Sequence, residues 1–333
     1  MTRLLRIYYN GIFGAAGALV GWLVFGLAVP VDWPWYSTTL LGGSIVGGVI
    51  GYLVVGWEAL LDWSWPRFFR MGVHGLIFGA MGGAVGAIAG EWINYALQEL
   101  PGLPGTLSTM VARGLGWMAF GVAVGLGEGY VARSWRKTSY GALGGTLGGL
   151  VGGASFALVL SELGRGEVSY VWGQAVGLMI LGACIGSLIA AVEEALKPAT
   201  LRVLRGWREG WEFAILKAET TIGRDEKADI LLLRDMKVEK YHAKVVARDG
   251  RYLLVNLGAP GHHTLVDGKP VSHVAELNDG ARIQLGDQVL MFHLRQARRT
   301  ARAPLGRRRE GETTRAVPEA ILLPDQAGPR GGN

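Results

Sequence analysis

Three glutamates recur at matched positions in a stretch that is otherwise almost free of charge. Glu58, Glu128 and Glu193 each follow a glycine by seven residues (Gly51, Gly121, Gly186) and precede a base by nine (Arg67, Lys137, Arg202). A further glycine stands eight residues past a base in Arg3/Gly11, Arg67/Gly75 and Lys137/Gly145. Carboxylates in apolar surroundings are costly, and two uses justify them: handling ions or protons, or fixing helix ends through ion pairs. The bases that follow each one favour ion pairing. Glu91 has no counterpart at sister positions, and His74 opens an apolar run beside Gly75. The shared spacing describes three copies of a two-helix unit.

The elements that carry these residues follow from charge and length. From Met1 to Leu196 there are 9 Lys/Arg and 10 Asp/Glu, against 24 and 17 from Lys197 to Asn333. The sparse part holds six apolar runs near the ~20 residues that cross a bilayer. They begin near Gly11, Thr39, Met71, Met110, Gly141 and Val171. Arg3 and Arg6 before the first run give it the flavour of a signal peptide, but five similar runs follow, so it reads as a retained span. Bases collect before span one, between two and three (Arg67, Arg70), between four and five (Arg133, Arg136, Lys137), and after six (Lys197, Arg202, Arg205, Arg208). The positive-inside rule then predicts a bacterial-type inner (plasma) membrane protein, multi-pass, with both termini cytoplasmic.

Glycines at four-residue steps, as in "GALGGTLGGLVGG", predict close helix packing seams. A pore lined by small residues is the sharper alternative. The net charge of +6 is mostly topology and tail. No basic stripe with interleaved aromatics accompanies it, so nucleic acid is not an expected partner. Cys184 is the single cysteine, which excludes an intrachain disulfide. No metal or cofactor site and no catalytic constellation is expected.

Beyond Leu196 the pattern changes. Residues 197–211, "KPATLRVLRGWREG" and the tryptophan after it, read as a basic juxtamembrane connector. Residues 212–295 show short β runs punctuated by Asp249-Gly250, Asp267-Gly268, Asp279-Gly280 and Gly286-Asp287. Such strands without helical periods between them predict a β-sandwich. Residues 296–333 carry 8 Arg against 4 acids with no apolar period, and read as a disordered basic tail.

The order of motifs in the β region is similar to that of forkhead-associated (FHA) domains. It runs through Gly223-Arg224, Asp229-Ile230, Val238, His242-Ala243, Leu257-Gly258, Thr264-Leu265-Val266 with Gly268, and Ile283 with Leu285-Gly286. The resemblance implies a phosphothreonine-peptide binding module that uses loops at one end of its sandwich. It assigns phosphopeptide contacts to Arg224, Glu239, Lys240, His262, His263 and Thr264, and structural roles to Gly223, His242 and Gly268. Glu239-Lys240 stands where the family has Ser-Arg. Lys240 keeps a charge, whereas Glu239 removes a donor and adds a carboxylate beside a dianionic phosphate. "APGHH", Ala259 to His263, replaces the family's Ser-x-Asn-Gly, so the peptide-gripping asparagine lacks an equivalent. A histidine there restores attraction when protonated. In the tail, Thr313 and Thr314 lie in "ETTR", which is similar to the phosphorylatable motif of some bacterial FHA regulators. A solvated or lipid-attracted basic tail is the plainer reading of it.

The sequence thus describes a six-span, three-hairpin helical membrane bundle joined to an all-β FHA-type sandwich. Its expected function is a membrane-anchored signalling adaptor, not an enzyme. The expected partners are the lipid bilayer and a protein, either threonine-phosphorylated, its own tail included, or bound without phosphate. The alternative is a small transporter or channel regulated by its FHA domain.

Overall fold

The computed structural model describes residues 3–30, 32–99, 105–163, 166–232, 235–260 and 263–295. Six helices come first: α1 Arg3–Ala28, α2 Trp35–Leu61, α3 Trp65–Gln98, α4 Gly105–Ala132, α5 Trp135–Leu163 and α6 Glu167–Leu196. All six are long and apolar enough to cross a membrane. Exposed aromatics gather near their ends, with Trp33, Trp35, Trp92 and Trp172 on one side and Trp63, Trp65 and Trp135 on the other. Amphipathic rings of this kind settle at the two membrane–water interfaces.

Each helix packs on its sequence neighbours, and α6 closes on α1, so the bundle is a ring. The threefold spacing becomes threefold packing. Ile50, Phe120 and Ile185, each one residue before a repeat glycine, fill the centre together with Val54, Val124 and Ile189. The tightest seams join one hairpin to the next. Gly51 meets Gly75 across α2 and α3, Gly121 meets Gly145 across α4 and α5, and Gly186 meets Asn10 across α6 and α1. A Cβ added at Gly145 would fall inside the Gly121 carbonyl oxygen. Only glycine permits such backbone contact, which in lipid replaces the missing hydrophobic drive between helices.

The α2–α3 and α4–α5 turns are built alike. Trp63 and Arg133 adopt left-handed backbone (φ 53° and 50°). The Ser64 and Ser134 hydroxyls then accept from the backbone N–H of Arg67 and Lys137, both at 3.3 Å, and so cap the next helix.

The remaining elements are strands: β1 Ala199–Arg205, β2 Glu212–Ile215, β3 Glu219–Gly223, β4 Ile230–Leu231, β5 Ala243–Arg248, β6 Arg251–Asn256, β7 Thr264–Val266, β8 Lys269–Pro270, β9 Val274–Glu276, β10 Arg282–Leu285 and β11 Gln288–Leu294. They form a six-stranded sheet, β2-β1-β11-β10-β7-β8, and a five-stranded sheet, β4-β3-β5-β6-β9. Leu201, Ile222, Val245, Leu254, Ile283, Leu290 and Phe292 fill the space between them. Burying each such side chain contributes about 1.5–3 kcal/mol.

The basic connector expected over 197–211 is corrected here. Ala199–Arg205 is the second strand of the large sheet, paired with β11 from Ala199↔Leu294 and with β2 from Ala199↔Ile215. Ala199, Leu201 and Val203 are buried in the core, while Arg202 and Arg205 are exposed. The alternation of a half-buried strand explains the same residues that composition marked as a connector.

Candidate functional site

The loops expected to read a ligand gather at one end of the sandwich, and their backbones are interlocked. Gly223 lies against the Lys240 carbonyl so closely that a side chain there would strike it. The Arg224 N–H donates to the Glu239 carbonyl at 3.0 Å, and the Asp225 N–H donates to that of Lys240 at 3.1 Å. The Glu239 N–H donates to His242 Nδ1 at 3.1 Å. The other ring nitrogen of His242 lies 2.9 Å from Thr264 Oγ1. Because Nδ1 accepts, Nε2 carries the proton and donates to the threonine. Burial pushes the His242 pKa below its ordinary value despite the nearby Glu239 carboxylate, in keeping with a neutral ring.

This arrangement sorts the expected site residues. Arg224 is half-buried, and its guanidinium donates to Met236 Sδ at 2.9 Å. Glu239 and Lys240 commit their backbones to the scaffold and expose their side chains. His263 is half-buried and its carbonyl accepts from the Gly286 N–H at 2.8 Å. Thr264 is a correction: it is 0 % exposed and tied to His242, so it braces the loops and offers no surface to a peptide. Gly268 (φ 78°) follows Asp267 (φ 49°) in the β7–β8 turn, where left-handed backbone favours glycine. His262, Thr313 and Thr314 lie outside the described residues.

Two braces escaped the sequence reading. The buried Asn256 amide donates to the carbonyls of Ala259 (2.9 Å) and Val271 (3.0 Å) and accepts from the Ala259 N–H (3.1 Å), which shapes the loop after β6. Asp235 accepts from the backbone N–H of Lys237 (2.9 Å) and Asp287 (2.6 Å), joining the loop before β5 to the β10–β11 turn. An Asn or Asp opening a loop is the signal that could have found both.

The three repeat glutamates do converge; the spacing gives the right partner for Glu128, which meets Lys137, but not for Glu58 or Glu193. Arg6 donates to Glu58 (2.7 and 3.0 Å), Glu193 (3.0 Å) and Glu194 (3.4 Å). Lys137 lies 3.7 Å from both Glu128 and Glu193. Arg67 pairs instead with Asp62 at 3.2 Å, and Arg202 belongs to β1. The network thus ties α1, α2, α4, α5 and α6 together at one end of the ring. Glu91 finds a partner in Arg113 on α4 at 2.7 Å, and His74 Nδ1 lies 2.7 Å from the Arg70 carbonyl oxygen.

Residues 202–296 match the family described as inner membrane component of T3SS, cytoplasmic domain. Solved structures similar to this chain include an FHA domain studied for phosphothreonine-dependent interactions (26% identity, 29% of this chain and 96% of that one, TM-score 0.27). Another is the FHA domain of the CT664 protein from Chlamydia trachomatis (27% identity, 29% and 96%, TM-score 0.27). A third is the FhaA FHA domain complexed with the intracellular domain of Rv3910 (26% identity, 28% and 99%, TM-score 0.26). Among curated proteins none matches. The C-terminal part of this chain is an FHA-like domain.

Proposed function

We propose that this chain is an adaptor anchored in the inner membrane, whose FHA-like domain faces the cytoplasm and binds a threonine-phosphorylated protein. The observation that carries the reading is the placement of Arg224 and Lys240 on an interlocked loop end, with the His242–Thr264 brace beneath them. A phosphate dianion asks for such cations and for charge-assisted hydrogen bonds. Glu239 weakens the attraction without disturbing the scaffold, because its backbone alone does the structural work. The module acts by binding, with no reaction of its own. The bundle interior supports anchoring over transport, since Ile50, Phe120, Leu181 and Ile185 occupy the ring centre with no exposure.

Capture from a lysate tests the partner. The full chain should retain a protein that is lost after phosphatase treatment, and Arg224→Ala should not retain it. Retention indifferent to both would mean contact through another face. Thiol labelling in intact cells tests the membrane reading in a Cys184→Ser background. A cysteine replacing Thr106 should react with an impermeant reagent and one replacing Ser139 should not; the reverse pattern would put the FHA-like domain outside.

A further inference from the structure

The strand that leaves the membrane helices fixes how the sandwich rests on them. β1 has 7 residues, so its ends lie about 20 Å apart at ~3.3 Å per residue. Both ends touch the bundle. Its start follows α6 after only Lys197 and Pro198. There the Ser134 hydroxyl donates to the Leu216 carbonyl at 2.8 Å, and the Arg295 guanidinium donates to the Glu194 carbonyl. At its other end, Arg208 donates to the Leu61 carbonyl at 2.6 Å and pairs with Asp62 at 2.5 Å. The Arg208 guanidinium is sandwiched between the rings of Trp207 and Trp211, at 4.1 and 4.3 Å. A strand held at both ends by one surface lies across that surface.

The ligand-reading loops share the Arg208 end. Gly206 and Trp207 line one cleft with Asp235, Met236 and Lys237, and Met236 is the residue that accepts from Arg224. Arg224 is thus linked to Met236, which faces Trp207 across that cleft, and Trp207 stacks on Arg208, which is bonded to the α2–α3 turn. Beside that turn stand exposed Trp63, Trp65 and Phe69, side chains suited to the headgroup region.

We infer that the loop end of the sandwich overhangs the α2–α3 corner at the membrane surface, and that its partner is a phosphothreonine segment close to a membrane span of another protein. The partner rests on the phosphothreonine reading above, while the placement rests on β1 and Arg208. A segment tethered to the same membrane gains effective concentration only when its linker length matches the span to the site. A site lying at the surface favours short linkers.

Two measurements on the full chain in nanodiscs separate these parts. Fluorophores are placed by Met236→Cys or Lys269→Cys, each in a Cys184→Ser background, with acceptor-labelled lipid headgroups. Lys269 lies on β8, at the sheet edge opposite β2 and five strand spacings from it, about 24 Å away at ~4.8 Å per spacing. Energy transfer from position 236 should exceed that from position 269 at least about twofold; equal or reversed transfer overturns the placement. A single phosphothreonine peptide is then compared free in solution and lipid-anchored through a short or a long spacer. The short-spacer form should bind at least about tenfold more tightly than the free peptide, with the long spacer between them. Equal binding of all forms overturns the juxtamembrane partner. If no form binds, the phosphothreonine reading fails and takes that partner with it, while energy transfer still decides the placement.

Discussion

The bundle and the sandwich are packed by opposite means. In the bundle, backbone meets backbone at Gly51/Gly75 and Gly121/Gly145, and charge sits inside as the network around Arg6 and Glu193. In the sandwich, branched and aromatic side chains such as Ile222 and Phe292 fill the core, and the buried polar groups brace the loops at one end, as His242 does with Thr264 and Asp235 with the Asp287 N–H. The difference fits the setting proposed for each part, lipid for the bundle and water for the sandwich. Water drives apolar side chains together. Lipid does not, so close contact and polar links must hold the helices.

If that contrast is right, added volume should break the bundle and removed volume should break the sandwich. The largest effect is expected at Gly145. Gly145→Leu should leave no monodisperse folded protein by size-exclusion chromatography, because a Cβ alone collides with the Gly121 carbonyl. Gly26→Ala, with open space around it, should behave like the parent. A tolerated Gly145→Leu would mean that the seam is loose. In the sandwich, Ile222→Ala should cost about 2–5 kcal/mol of stability through a cavity, measured by denaturant unfolding.

Within the network, burial sets the order of effects. The Glu193 side chain is 2% exposed and that of Glu58 39%. Glu193→Gln should cost about 3–5 kcal/mol because it leaves Arg6 and Lys137 underpaired in a buried site. Glu58→Gln should cost clearly less. Equal costs in thermal unfolding would contradict the ranking.

A smaller effect is expected from pH. Burial holds the His242 pKa below its ordinary 6.5 in the folded domain. The unfolded chain takes up a proton near pH 6.5 while the folded one does not, so unfolding binds protons as pH falls. Stability is therefore full above about pH 6.5 and is lost below it, toward the folded value. Hydrogen exchange, corrected for intrinsic rates, should show β5 and β7 losing protection between about pH 7 and 5. His242→Asn should flatten that dependence.

Much of this was legible in the residues. Six apolar runs became six helices, and the motif order around Gly223-Arg224 and His242 became a sandwich with its loops at one end. What stayed hidden has a common cause. The closure of α6 on α1, the choice of Arg6 over Arg67 as the partner of Glu58, and the seat of Arg208 on Asp62 join residues 52 to 188 positions apart, and local spacing carries no information about them. β1 was hidden differently: its outward-facing arginines resemble a positive-inside flank, and its core-facing Leu201 and Val203 are too few to stand out. Thr264 was misplaced because a resemblance names positions, whereas burial decides which of them a ligand can touch.

The phosphate-reading claim turns on Glu239. A phosphothreonine peptide covering Thr313 and Thr314 can be titrated by calorimetry into the parent chain and into Glu239→Ser and Arg224→Ala. Replacing the carboxylate with a hydroxyl removes repulsion and adds a donor. A hydrogen bond to a charged group contributes about 1.5–3 kcal/mol, so affinity should rise at least about tenfold. Arg224→Ala should bind more weakly than the parent. Equal, weak binding by all three would contradict phosphate reading at this end of the sandwich.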